Sequence, residues 1–260
     1  MSLSKVVVFL IVCFCASSAL ALAPMGPTTA GLEPGKWAFG AEYADVDMQL
    51  DRRPDGSSGL DYPDDMAFMK MDTEVNQYSI LIRRGLLDWW EGYARVGLAD
   101  MEYKAPRDSG NEWEGDDEDI FLGLGSKMTL WEQTPELKWG FLAQVQWYEW
   151  SGSRTNPTAS HPIGKFEAEI TEWQIAVGPT WTPEDLDWLT VYGGAFFHDV
   201  DGYQIYYHES DGSEVALSEG DDFGLYIGAQ FAVKDNVALT VEYMDTDEAD
   251  AFVVGAMWTP

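Results

Sequence analysis

The segment Lys138-Trp139-Gly140-Phe141-Leu142-Ala143-Gln144-Val145-Gln146-Trp147 alternates with a period of two. Trp139, Phe141, Ala143, Val145 and Trp147 fall on one face; Lys138, Gly140, Gln144 and Gln146 fall on the other. Successive side chains of a strand point to opposite sides, so this stretch reads as a strand with one apolar and one polar face.

The pattern recurs on both sides of it. Upstream, Trp37, Phe39, Ala41 and Tyr43 share a face opposite Gly40 and Glu42. Tyr78, Ile80 and Ile82 oppose Gln77, Ser79 and Arg83; Ala94, Val96 and Leu98 oppose Tyr93, Arg95 and Gly97; Ile120, Leu122 and Leu124 oppose Gly123, Gly125 and Lys127. Downstream, Trp173, Ile175 and Val177 oppose Glu172, Gln174 and Gly178, and Leu189, Val191, Ala195 and Phe197 oppose Thr190, Tyr192 and Gly194. Three more segments follow, around Phe223–Phe231, Val237–Tyr243 (with Glu242 on the polar face) and Phe252–Trp258. The total is about ten strands, each near the length a tilted membrane strand needs, with eight or twelve as alternatives.

The links between strands alternate in length. Gly85 to Trp89, Glu132 to Glu136, Thr182 to Asp187 and Lys234 to Asn236 are short; Asp51 to Asp72, Ala105 to Glu118, Ser151 to Gly164 and Val200 to Asp222 are longer. Short turns on one side and long loops on the other characterise membrane barrels, and an even strand count puts both termini on the short-turn, periplasmic side. Strand edges left open in hydrocarbon cost several kcal/mol per backbone group, so such a sheet must close. The aliphatic and aromatic face is assigned outward, to lipid. The Gly-rich face, with Glu42, Arg83, Arg95, Lys127, Lys138, Glu172 and Glu242, is assigned to a lumen where charges of both signs pair. Tryptophans near the strand ends, such as Trp37, Trp89, Trp131, Trp181 and Trp258, suit interfacial girdles. A soluble β-sandwich with aromatic caps is the competing reading.

Ahead of the strands, Lys5 precedes the apolar run Val6–Phe14 and the small residues Ala16–Ala23, the layout of a cleaved signal peptide. Cleavage fits after Ala21 or after Ala23, so residues 1–23 are read as signal, 24–34 as a short linker and 35–260 as the barrel. Cys13 and Cys15 are the only cysteines, so a processed chain has no disulfide and no thiolate site. A net charge of −30 repels phosphate backbones and excludes nucleic-acid binding.

On these residues the chain resembles the bacterial outer-membrane β-barrel superfamily, in particular its small OmpA-like and porin-like members, from Gly35 to the end. The resemblance implies a Gram-negative outer-membrane location, contact with outer-membrane lipid, and delivery by the barrel-insertion machinery, which reads a terminal aromatic; Trp258 stands in that place, followed by Thr259 and Pro260. A barrel of about ten strands encloses a lumen that its inward Arg, Lys, Glu, Gln and Tyr side chains nearly fill, so a structural or surface-interaction role is expected first and a narrow cation-favouring channel second.

Enzymatic candidates were weighed. Omptin-like proteases carry an Asp pair facing an Asp–His pair, and the sequence has Asp64-Asp65 and His198-Asp199. Neither pair has a spacing that fixes catalytic geometry, so no enzyme is expected. His161, His198 and His208 are read as solvent-exposed loop residues. Acidic clusters gather in the long loops, and Glu114, Asp116, Asp117, Asp119, Asp199 and Asp201 offer hard oxygen ligands for loosely bound Ca²⁺ or Mg²⁺. The competing reading, a solvated acidic surface, is preferred, and no other cofactor is expected.

Overall fold

The computed structural model describes residues 22–54, 69–104, 112–115, 119–154, 165–208, 211–218 and 222–260. The strands are β1 (Trp37–Pro54), β2 (Met69–Leu87), β3 (Trp90–Lys104), β4 (Glu112–Gly115), β5 (Asp119–Glu132) and β6 (Leu137–Arg154). They continue with β7 (Lys165–Trp181), β8 (Leu189–His208), β9 (Asp211–Ser218), β10 (Asp222–Lys234), β11 (Val237–Asp245) and β12 (Ala249–Trp258). All pairings are antiparallel and β1 pairs with β12, so the sheet closes as an up-and-down barrel of ten strands.

The barrel has two tiers. At the short-turn end the ring runs β1-β2-β3-β5-β6-β7-β8-β10-β11-β12 and back to β1. At the long-loop end β4 replaces β5 between β3 and β6. There β9 pairs with β8 and, through Val215–Ser218, with Asp51–Pro54 of β1. The β10–β12 strands stop lower. Thr246 ends β11: its N–H donates to Ala249 O (2.7 Å), and its hydroxyl receives the Ala249 N–H (2.7 Å). β9 passes over that turn, so the upper ring needs eight strands. β8 and β9 form a hairpin that reaches past the ends of β10–β12.

Side-chain polarity inverts between the tiers. In the lower one, apolar residues face out. Leu225 and Ile227 are 68 % and 61 % exposed, and Phe141 and Val145 share the outer face of β6. A sealed central core of these four residues would have meant a soluble protein. Higher up, the outward positions turn acidic: Tyr43 gives way to Asp45 and Asp47 on β1, Trp147 to Glu149 on β6, Phe197 to Asp199 on β8, and Phe252 to Asp250 on β12. The inward positions change the opposite way. Glu42 gives way to Ala44, Val46 and Met48; Gln146 to Tyr148 and Trp150; Glu172 to Ile170; His198 to Val200. The upper tier is therefore a small barrel of soluble type with a packed core, which includes Val75, Met101, Phe121 and Leu217.

The inversion also bounds the outer apolar band. From Phe223 to Phe231 the outer face of β10 is apolar. Nine residues rise about 30 Å along a strand and about 23 Å when tilted by about 40°, which matches an outer-membrane apolar band. Trp37, Trp89, Trp131, Trp181 and Trp258 sit exposed at its lower rim.

Candidate functional site: the occupied lumen

Inward parity places charged side chains in the lower lumen, where each needs a partner because desolvating a lone charge costs several kcal/mol. On the β2–β3 hairpin, Arg83 grips Glu91 with two parallel bonds, Nε to Oε1 (2.5 Å) and Nη2 to Oε2 (2.8 Å). Arg95 Nε pairs with Glu42 Oε2 (2.9 Å) across the barrel wall from β3 to β1. Lys127 is buried, within electrostatic reach of Glu91, Glu242 and Glu42, with Nζ 5.5 Å from the Tyr93 ring centre. Gly125 makes room for that ring: a Cβ there would lie 2.2 Å from Tyr93 Cζ.

The space that remains is filled by the chain itself. Residues 24–30, part of the stretch expected as a linker, run inside the barrel together with Leu22 and Ala23, and Gly31 to Pro34 lie at the turn rim, mostly exposed. Glu172 Oε1 accepts the Ala23 N–H (3.1 Å), and Gln144 donates to Ala23 O (3.0 Å). Arg95 donates to Pro24 O (2.8 Å). Glu242 takes the next two amides, Met25 N–H (2.8 Å) and Gly26 N–H (2.7 Å), one on each oxygen. Lower down, Thr28 donates to Gly178 O (3.1 Å), Thr29 to the Thr180 hydroxyl (3.1 Å), Ala30 to Thr129 (3.1 Å) and Gly31 to Glu91 (3.2 Å). Gly35 N–H then reaches Gly85 O (2.8 Å) at the turn rim, and β1 begins.

Composition explains why this segment fits. Pro24 and Pro27 carry no N–H and hold the backbone extended, so fewer donors must be satisfied in a narrow tube. Gly26 adopts φ +64°, and a Cβ on it would press on Lys127 Nζ at 3.0 Å. On the wall, a Cβ on Gly140 would lie 2.5 Å from the Thr28 carbonyl carbon, so only glycine leaves the segment its path. The cavity left around Met25, Lys127 and Glu242 measures about 20 Å³, room for one water.

At the top of this stopper is a polar node. The Tyr148 hydroxyl donates to Glu172 Oε2 (2.7 Å) and accepts from Gln146 (2.7 Å) and Gln77 (3.0 Å). His198 Nε2 lies 3.2 Å from Glu172 Oε1. Gln144 also bonds Gln174.

Glu42, Arg83, Arg95, Lys127, Glu172 and Glu242 thus meet in one lumen. Lys138 does not join them. It has inward parity but sits at the turn rim, where it pairs with Glu132 (2.6 Å) across the β5–β6 hairpin. Tyr93, Gln144 and Gln146, already on the polar face, join the charged set, whereas Glu91 and Tyr148 were missed; extending the alternation by two positions beyond Tyr93 on β3 and beyond Gln146 on β6 finds them. His198 is not a loop residue: β8 continues to His208, and His198 follows Tyr192, Gly194 and Phe196 into the lumen. Its neighbour Asp199 points outward and accepts the Trp173 indole N–H (2.7 Å), so the two cannot act as one pair. Asp64, Asp65 and His161 lie outside the described residues.

The cation candidates divide similarly. Asp116 and Asp117 lie outside the described residues, as does the side chain of Glu114. Asp119, on β5, accepts the Ser151 N–H of β6 (2.8 Å) and stands three strands away from Asp199 and the exposed Asp201 on β8. Among the described residues no three His, Cys, Asp or Glu side chains are placed to hold a metal ion.

No protein-family model matches the sequence, and no curated protein matches it. Solved structures do. The outer-membrane protease OmpT of Escherichia coli superposes with a TM-score of 0.54 over 89 % of this chain and 99 % of its own, at 12 % identity. The fold is that of the bacterial outer-membrane β-barrels. The translocator domain of the autotransporter NalP from Neisseria meningitidis gives a TM-score of 0.49 over 88 % of this chain and 89 % of its own, also at 12 % identity. At such identity the OmpT likeness carries the fold and nothing about chemistry.

Proposed function

We propose that the protein is an integral outer-membrane β-barrel whose lumen is sealed by its own N-terminal segment, and that it serves a structural or surface-interaction role through its acidic outer tier. One observation carries this reading: residues 22–30 run along the lumen, bonded to β3, β5, β6, β7 and β11, and the cavity left beside Met25, Lys127 and Glu242 measures about 20 Å³. A solute cannot pass a space that holds a single water. The short turns then face the periplasm, and Asp45, Glu149, Asp199 and Asp250 face the exterior above the lipid.

Planar-bilayer recording of the purified protein tests it. The intact barrel should be silent, and deletion of residues 24–31 should produce discrete steps. Steady, cation-selective conductance from the intact protein would instead establish the narrow-channel alternative.

A further inference from the structure

The lower lumen holds four carboxylates, Glu42, Glu91, Glu172 and Glu242. Glu42 faces Arg95, Glu91 faces Arg83, and Lys127 lies within reach of Glu242. Glu172 is fully buried, and among the described residues its ion-pair partner is His198, a cation only when protonated. The Glu172 carboxylate also accepts the backbone N–H of Ala23 (3.1 Å), one residue beyond Leu22. Leu22 itself follows the small-x-small triplet Ala19-Leu20-Ala21. Hydrolysis of the Ala21–Leu22 peptide bond by the export peptidase adds a water: its oxygen goes to the new Ala21 carboxylate, and its protons leave Leu22 as an α-ammonium.

We infer that Glu172, with Tyr148 and His198 around it, is a receptor for the α-ammonium of the processed N-terminus, which supplies the fourth cation of the lumen and anchors the tip of the stopper. The geometry matches. The Ala23 amide already points at Oε1, so a charged group one residue away falls at the same carboxylate. Oε2 is held by the Tyr148 hydroxyl, which fixes the orientation of the acid. With the ammonium in place His198 can remain neutral, and every carboxylate of the tier has a cation beside it. An uncleaved chain lacks this charge, so processing and sealing become one event.

This inference rests on the sealed-lumen reading, yet the two fail separately. The test is made on the full-length protein purified from outer membranes. Its N-terminal residue is determined by mass spectrometry, and its α-amine is then acylated with an N-hydroxysuccinimide acetate near neutral pH, folded and after boiling. The expected N-terminus is Leu22, with acylation slowed about 100-fold in the folded barrel, because the stopper must leave before reagent can enter. Glu172→Gln, folded by its heat-modifiable gel mobility, should lose most of that protection. Three results would overturn the assignment: a mature chain that begins away from Leu22, a wild-type amine as reactive folded as boiled, or full protection retained in a folded Glu172→Gln. Protein that is silent in bilayers but shows any of these keeps the sealed lumen and loses the ammonium receptor.

Discussion

Replacement of Glu242 by Gln probes how tightly the stopper is held. Its two oxygens accept the Met25 and Gly26 amides at 2.8 and 2.7 Å, and with Lys127 within reach the acid is taken as ionised. The amide side chain keeps one carbonyl oxygen, so one bond survives in neutral form and the other amide faces an NH₂ group. A charge-assisted bond contributes about 1.5–3 kcal/mol and a neutral one about half that, so the loss is about 3 kcal/mol. Lys127 keeps Glu91 and Glu42 as neighbours, which limits secondary damage. The readout is a single cysteine in place of Met25, which is 2 % exposed. The processed chain offers no competing thiol, since Cys13 and Cys15 precede residue 22. Where opening is fast relative to labelling, the maleimide rate follows the population of displaced stopper, and 1.4 kcal/mol corresponds to tenfold. Labelling of Met25→Cys should therefore accelerate about 100-fold when Glu242→Gln is added. A rate within about threefold of the parent would show that Glu242 does not hold the segment and would refute the derivation.

Other expectations concern the wall and the two tiers. Leu225→Arg, in the lipid-facing band, should destabilise the barrel by about 2–4 kcal/mol in a urea titration in vesicles. Glu169→Arg, outward in the upper tier, should change it by less than about 0.5 kcal/mol. Equal costs would contradict the boundary drawn at the polarity inversion. Arg83→Met strands the buried Glu91 and should cost about 3–5 kcal/mol, while adding Glu91→Gln should recover at least half of that; a double variant no better than the single one would show that the pair is not the unit. On the outer tier, partial burial holds the Asp250 carboxyl above its ordinary 3.8, helped by the nearby Asp245 and Asp45 charges and opposed by the Tyr243 hydrogen bond. The folded state therefore binds more proton than the unfolded one just above 3.8, so this group favours folding as pH falls toward that value. Asp250→Asn should remove this group's share of any gain in thermal stability as the pH is lowered toward 3.8, read by gel mobility; an unchanged slope would assign the pH dependence to other carboxylates.

The lower tier was legible because its signal is a strict period of two with tryptophans at the ends, and strand pairing follows from that period alone. Lys138→Trp147 reads the same in sequence and in structure. Parity also found Arg83, Arg95, Glu172 and Glu242. Depth was not legible, because alternation has no marker for the rim, and Lys138 was placed too deep for that reason. The upper tier hid behind its inverted polarity. Asp45 and Asp47 look like the start of a loop until Ala44, Val46, Met48 and Leu50 are seen to share the opposite face. His198 went the same way, since the long β8 strand was cut at Val200. The stopper had a signal that no strand or helix pattern captures. From Pro24 to Leu32 there is no charge, in a chain carrying −30, and apart from Met25 and Leu32 the residues are small or proline. A stretch without charge in so acidic a chain is what a crowded, already balanced interior accepts.

β1 bears on how such a molecule is assembled. Its lower half zips to the last strand of the chain, and its upper end zips to β9, so both rings are completed on the same segment. Gly35, two residues before that segment, is already pinned to the β2–β3 turn. The final seam therefore joins the beginning of the chain to its end while the leading peptide is tethered at the mouth, and the cork enters the bottle as the glass is sealed.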